Sequence, residues 1–163
     1  MEAIPSLSAP METRLAEYTE LLSAGLLPVY SLPRVARDVE RAVLDRAWSH
    51  AANPYGGHRL YVLSVAGSHR RVKIGQATDA RVRIATHQNE YHVNGHGLVD
   101  AWISDPLPDA IAAERAVRAL LRLLDVSAGH RREEYPNAPF ALIRGAAITV
   151  TDPVSADRQR DLE

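Results

Sequence analysis

At 163 residues, with 46% apolar and 24% charged side chains, the chain is long enough to bury one sizeable core and has the balance of a globular domain rather than a disordered one. It contains no cysteine, which excludes a disulfide framework and a thiolate metal site. The net charge of −1 argues against a bulk electrostatic nucleic-acid binder, and no apolar run approaches the roughly 18 residues that would span a membrane.

The opening MEAIPSLSAPMETR lacks a basic start followed by an apolar run, so no secretory signal is expected and a cytoplasmic location is the default. Charge is unevenly spread. Residues 1–55 and 151–163 each sum to −2, whereas residues 56–150 sum to +3 and hold six of the seven histidines. The centre is the place to look for an anionic partner.

In chain order, Leu15, Tyr18, Leu21 and Leu22 recur at helical spacing and are followed by Gly25 and Pro28. A second helix follows Ser31 and Pro33, with a stripe of Val35, Val39, Ala42, Val43 and Ala47. Asn53, Pro54, Gly56 and Gly57 break the pattern, so a boundary is placed near residue 55. HRLYVLSVAG and SHRRVKIG predict an antiparallel hairpin turning at Gly67–Arg70. TDARVRIATHQNE predicts a short helix capped by Thr78 or Asp79. GLVDAWIS predicts a third strand. DPLPDAIAAERAVRALLRLLDVSAGH predicts a long helix, with Asp-Pro at its start and Gly129 past its end. REEYPNAP reads as a loop, FALIRGAAITVTD as a final strand, and the remainder as a flexible polar tail. The fold class expected is α+β: a small antiparallel sheet of about three strands flanked by helices (residues 56–150), behind an N-terminal helical extension (1–55). Were the Leu15/Leu21/Leu22 and Val35/Val39/Val43 stripes more than one domain can bury, they would form a homodimer or protein-partner interface.

Several residues stand out chemically. The chain has 19 Lys+Arg residues, and Lys73 is its single lysine, one residue before an Ile-Gly pair. A lysine is a compact point charge and can lose its proton when buried, which arginine cannot. Glu114 lies inside the apolar stripe Ala110, Ala113, Val117, Leu120, Leu121 and Leu124. A carboxylate there needs a partner: either Arg118, one turn on, or a metal. Arg115, Arg118 and Arg122 form a neighbouring stripe, which is a solvated face or a backbone-tracking one. Arg83 and His87 are four apart and share a helix face, suited to phosphate. Tyr61 is either strand packing or a reactive hydroxyl. Gly75 allows a close approach at the end of the second strand.

Taken together, RLYVLSVAGSHRRVKIGQATDARVRIATH resembles the core of the GIY-YIG nuclease superfamily. RLY stands at the first motif and KIG at the second, with eleven residues between Tyr61 and Lys73. Arg83 follows Gly75 by eight residues and His87 follows Arg83 by four, matching a family arginine and histidine. Glu114 matches the family's later acidic residue. The resemblance is closest to small phage- or plasmid-borne domains in which KIG replaces the full second motif. There a Gly-Glu-aromatic segment closes the domain, and Glu134 and Tyr135 stand in its place, with Asn137 near a late family asparagine. The first motif departs in having Arg59 and Leu60 for Gly-Ile.

The resemblance implies a metal-dependent DNA endonuclease. Glu114 would hold Mg²⁺ or Mn²⁺, Arg83 would neutralise the transition state, and Tyr61 would act as base or orient water. Lys73 would hold the tyrosine hydroxyl near its anionic form or touch the phosphate, and His87 would orient the nucleophile. A non-catalytic DNA- or protein-binding module on the same fold is the alternative, and it would not require Glu114 or metal.

Overall fold

The computed structural model describes residues 6–49, 56–129 and 133–152. The boundary expected near residue 55 and the tail beyond residue 152 lie outside the described residues.

Five helices and a four-stranded sheet follow one another as α1 (Ala9–Ser23), α2 (Leu32–Trp48), β1 (Arg59–Ala66), β2 (Arg71–Ala77), α3 (Ala80–Val93), β3 (Gly97–Ile103), α4 (Ala110–Leu123), β4 (Glu134–Pro136) and α5 (Phe140–Thr151). The sheet order is β3-β1-β2-β4, with every neighbouring pair antiparallel. The α+β class stands, but the sheet has four strands where about three were expected. The extra strand comes from the segment read as a loop: Val72 and Lys73 pair with Tyr135 and Glu134. A three-residue strand carries too little alternation to announce itself.

The last element corrects a second expectation. Residues 140–151 are helical, although Ile148, Thr149, Val150 and Thr151 favour strand locally. Ile143, Ala146 and Ala147 are buried at helical spacing against the apolar face shared with α4, and that packing outweighs propensity. The long helix starts later than Asp105-Pro106. Asp109 caps it through the Ala112 amide, and Asp125, at φ 58°, ends it before Gly129 is reached.

β1 is buried along its whole length because helices cover both faces of the sheet. Leu60, Val62, Val72 and Ile74 meet Val117, Leu121 and Ile143 of α4 and α5. Tyr61 and Leu63 meet Val43 and Ala47 of α2 and Ala80 and Ile84 of α3. The N-terminal helices therefore contribute to this core: Leu22, Val39 and Val43 are buried within the chain, while Leu21 and Val35 remain exposed.

A polar pin holds α1, α2 and α3 together. Glu40 is 1% exposed and accepts hydrogen bonds from Tyr18 Oη and, at 2.9 Å each, from Gln88 Nε2 and His92 Nε2. Burial first, then the Glu40 carboxylate, pushes the Tyr18 hydroxyl far up, so it remains a donor. Glu40→Ala would strand two buried donors, Tyr18 and His92, and release the half-buried Gln88, and is expected to cost about 3 kcal/mol in urea unfolding. A loss below about 1 kcal/mol would show that water replaces the carboxylate without penalty.

Candidate active site

The hairpin assembles the site by register. Tyr61 pairs with Gly75 and Leu63 pairs with Lys73. Cross-strand partners project to the same face, so Arg71, Lys73 and Gly75 of β2 stand beside Tyr61 on the α3 side. Gly75 is required by contact rather than by backbone angle. A Cβ added there would lie 2.4 Å from both Cζ and Oη of Tyr61. The tyrosine ring is thus laid across the glycine, and β4 pairs only with residues 71–73, ending short of this point.

α3 brings the next groups. Asp79 caps it by accepting from the Val82 amide at 3.1 Å, one of the two caps expected. His87, buried on its inner face, places Nε2 3.0 Å from Tyr61 Oη. The Glu90 carboxylate lies 3.7 Å from the other ring nitrogen, Nδ1, and favours the ring proton there. Nε2 is then the acceptor and Tyr61 the donor. The Tyr91 ring stacks on His87 with centroids 6.2 Å apart.

Burial sets the protonation of this pair. Desolvation pushes the Tyr61 hydroxyl up to about 12, although the Arg83 guanidinium opposes the rise; Glu133 and Glu114 add to it. Burial first, then the charges of Lys73 and Arg83, hold the His87 imidazole below its ordinary value. At neutral pH both groups are uncharged.

Lys73 is only 8% exposed, and its Nζ donates to Glu133 Oε2 at 2.8 Å. That contact, followed by the lysine's charge, holds the Glu133 carboxyl below the usual range. The cation that acts on the Tyr61 hydroxyl is therefore Arg83, with Lys73 engaged by Glu133. Glu114 sits at 2.9 Å from Arg118 Nη2, each side chain about one-fifth exposed. Its carboxylate also reaches the field of Tyr61, and Arg118 reaches that of Glu133. Tyr61, His87 and Gly75 are thus in contact with Lys73 beside them on β2, and the charges of Arg83 and Glu114 act on the Tyr61 hydroxyl.

The other sequence candidates are not. Glu134 pairs with Arg71 at 3.3 Å, and Tyr135 is buried in the core on the α4–α5 side. Asn137, at φ 57°, turns the chain after β4. Arg115 and Arg122 are exposed on α4. Sequence reasoning missed Glu133, Glu90 and Tyr91. Glu90 and Tyr91 were findable, lying three and four residues beyond His87 on one helix. Glu133 had no local signal beyond being an acid next to the one chosen.

Residues 58–146, from the start of β1 into α5, match the T5orf172 domain. The chain belongs to the T5orf172 domain family. This is a phage-type domain found in some nuclease-like proteins, and the match is compatible with a nuclease or DNA-binding role. No curated protein and no solved structure matches the chain significantly. The T5orf172 region includes every residue of the Tyr61 cluster and excludes α1 and α2. No helix among the described residues is long and apolar enough to cross a membrane.

The donor set of the T5orf172 site bears on metal. Among the described residues no three His, Asp or Glu side chains converge as a complete cage. Magnesium does not need one: it commonly takes one or two carboxylates with substrate phosphate and keeps several waters. Glu114 and Glu133, both acting on the same tyrosine, are hard oxygen donors of the type that fits.

Proposed function

We propose that this T5orf172 protein is a metal-dependent DNA endonuclease of GIY-YIG-like design. The observation that carries the reading is the Tyr61–His87 hydrogen bond, buried against Gly75, with Arg83, Lys73 and Glu114 around it. Buried uncharged tyrosine and histidine in contact, ringed by cations, suit proton transfer beside a phosphate better than they suit packing.

Tyr61 would hold the attacking water. As the water oxygen bonds to phosphorus, its proton passes to Tyr61 Oη while the tyrosine proton passes to His87 Nε2. The phosphorus–oxygen bond to the leaving strand breaks, and that oxygen takes a proton from solvent. Arg83 would meet the charge gathering on the phosphate. Lys73 would hold Glu133 in place and keep the local potential positive. Glu114, with Glu133, would hold Mg²⁺ or Mn²⁺, which supplies charge neutralisation at the phosphate.

Cleavage of supercoiled plasmid tests the reading. Activity is expected with Mg²⁺ or Mn²⁺ and none with EDTA. The rate should rise with pH as His87 loses its proton, because an imidazolium cannot accept from Tyr61. Since His87 sits below its ordinary value of about 6.5, the rate should be level by neutral pH. Tyr61, at about 12, adds no alkaline fall in the neutral range. No cleavage with DNA binding intact would favour the second reading, a DNA-binding module. The Glu114–Arg118 ion pair gives that reading its one specific support, since it provides the carboxylate with a partner other than metal.

A further inference from the structure

A recess lies away from Tyr61, on the far side of α3. It is a groove of about 500 Å³ between α2 and the outer side of α3. Arg37, Arg41 and Arg81 line it, with Trp48 as a wall and the Gln88 side chain along it. Asp45 is the one acid among the lining residues. Arg37 and Arg41 are exposed and one helical turn apart, about 6 Å along the axis. Arg81 is placed over the Trp48 ring, 5.8 Å from its centroid, which limits the side-chain freedom a phosphate contact must otherwise overcome.

The position of the groove is informative. α3 forms its inner wall and also carries the cluster at Tyr61. Arg81, of the groove, and Arg83, of the site, are two residues apart and both exposed at the start of α3. The start of α3 thus borders both the groove, through Arg81, and the Tyr61 cluster, through Arg83 on another side of the helix. The floor on the other side comes from α2, which lies outside the T5orf172 match.

We infer that the α2–α3 groove is a binding tract for the phosphate backbone of duplex DNA, delivering the strand to Arg83 and Tyr61. The inference rests on DNA being the substrate of the proposed reaction. The acidic residues of the N-terminal segment do not oppose it, because several are turned to other partners. Glu12 and Asp38 face Arg46 and Arg14 at 3.8 and 3.6 Å, and Glu40 is buried in the polar pin.

Binding of a short fluorescent DNA duplex, measured in EDTA over a range of salt, tests the inference. Arg37→Gln/Arg41→Gln is expected to weaken binding at least about tenfold and to reduce the salt slope by about two, one for each lost phosphate contact. Arg34→Gln, exposed on α2 but not lining the groove, should keep the wild-type slope. Unchanged affinity and slope in the double variant, with its melting temperature preserved, would overturn the tract. So would loss of single-strand binding with duplex binding retained. Failure of the catalytic reading looks different: duplex binding would still depend on Arg37 and Arg41, and the wild-type protein would not cleave with any metal.

Discussion

Glu114→Ala is expected to abolish metal-dependent plasmid cleavage while leaving duplex binding within about threefold of wild type. Among the described residues Glu114 is hydrogen-bonded by Arg118 at 2.9 Å, so two roles compete for it. If it serves only as a helix ion pair, an i, i+4 contact of this sort is worth about 0.5 kcal/mol. Removing either partner should then have the same small effect. If it holds the metal, Glu114→Ala should cost at least about 1,000-fold, because a transition-state charge loses its stabilisation. Arg118→Ala should then cost far less, since the carboxylate remains. The comparison separates the roles without relying on stability. Equal, modest losses in the two variants would remove Glu114 from the metal site.

Gly75→Ala is the second large effect. One methyl group placed 2.4 Å from Tyr61 Cζ and Oη cannot be accommodated, and the tyrosine is hemmed in by Ile84 and Ala80 of α3. The ring must leave its seat, and the 3.0 Å contact with His87 goes with it. A misplacement of about 1 Å at the reacting groups costs on the order of 100-fold in rate, and overpacking costs about 1–3 kcal/mol in stability. The signature is a rate loss larger than the stability loss explains, together with a pH profile that no longer reports His87. Gly145→Ala in α5 is the control, since a Cβ there meets nothing within 4 Å. A Gly75→Ala protein with wild-type rate would show that the Tyr61–Gly75 stack has no part in the chemistry.

Much of the site was legible because its members are local. Tyr61, Lys73, Gly75, Arg83 and His87 lie within one strand–strand–helix unit, where pairing register and helical spacing alone decide which side chains meet. The hairpin, the Asp79 cap and the third strand were read from the same short-range rules. What failed was non-local. β4 exists only because β2 offers it an edge, and α5 is helical because α4 offers it an apolar face. Lys73 stands opposite Glu134 in the β2–β4 register, yet its ammonium is taken by the preceding Glu133, while Glu134 turns to Arg71.

The sequence by itself determined the α+β class, the hairpin carrying Tyr61 and Gly75, and the single lysine on its second strand, since each depends on neighbours within one or two elements. Only the tertiary structure decided which cation acts on which partner. Arg83, not Lys73, is the cation that pulls the Tyr61 hydroxyl down, because Glu133, sixty residues along the chain and next to β4, takes the ammonium. Only it could show that an N-terminal segment of net negative charge presents arginines to a groove. Net charge is a sum over residues, whereas a binding surface depends on which of them the fold has paired with one another and which it leaves facing solvent.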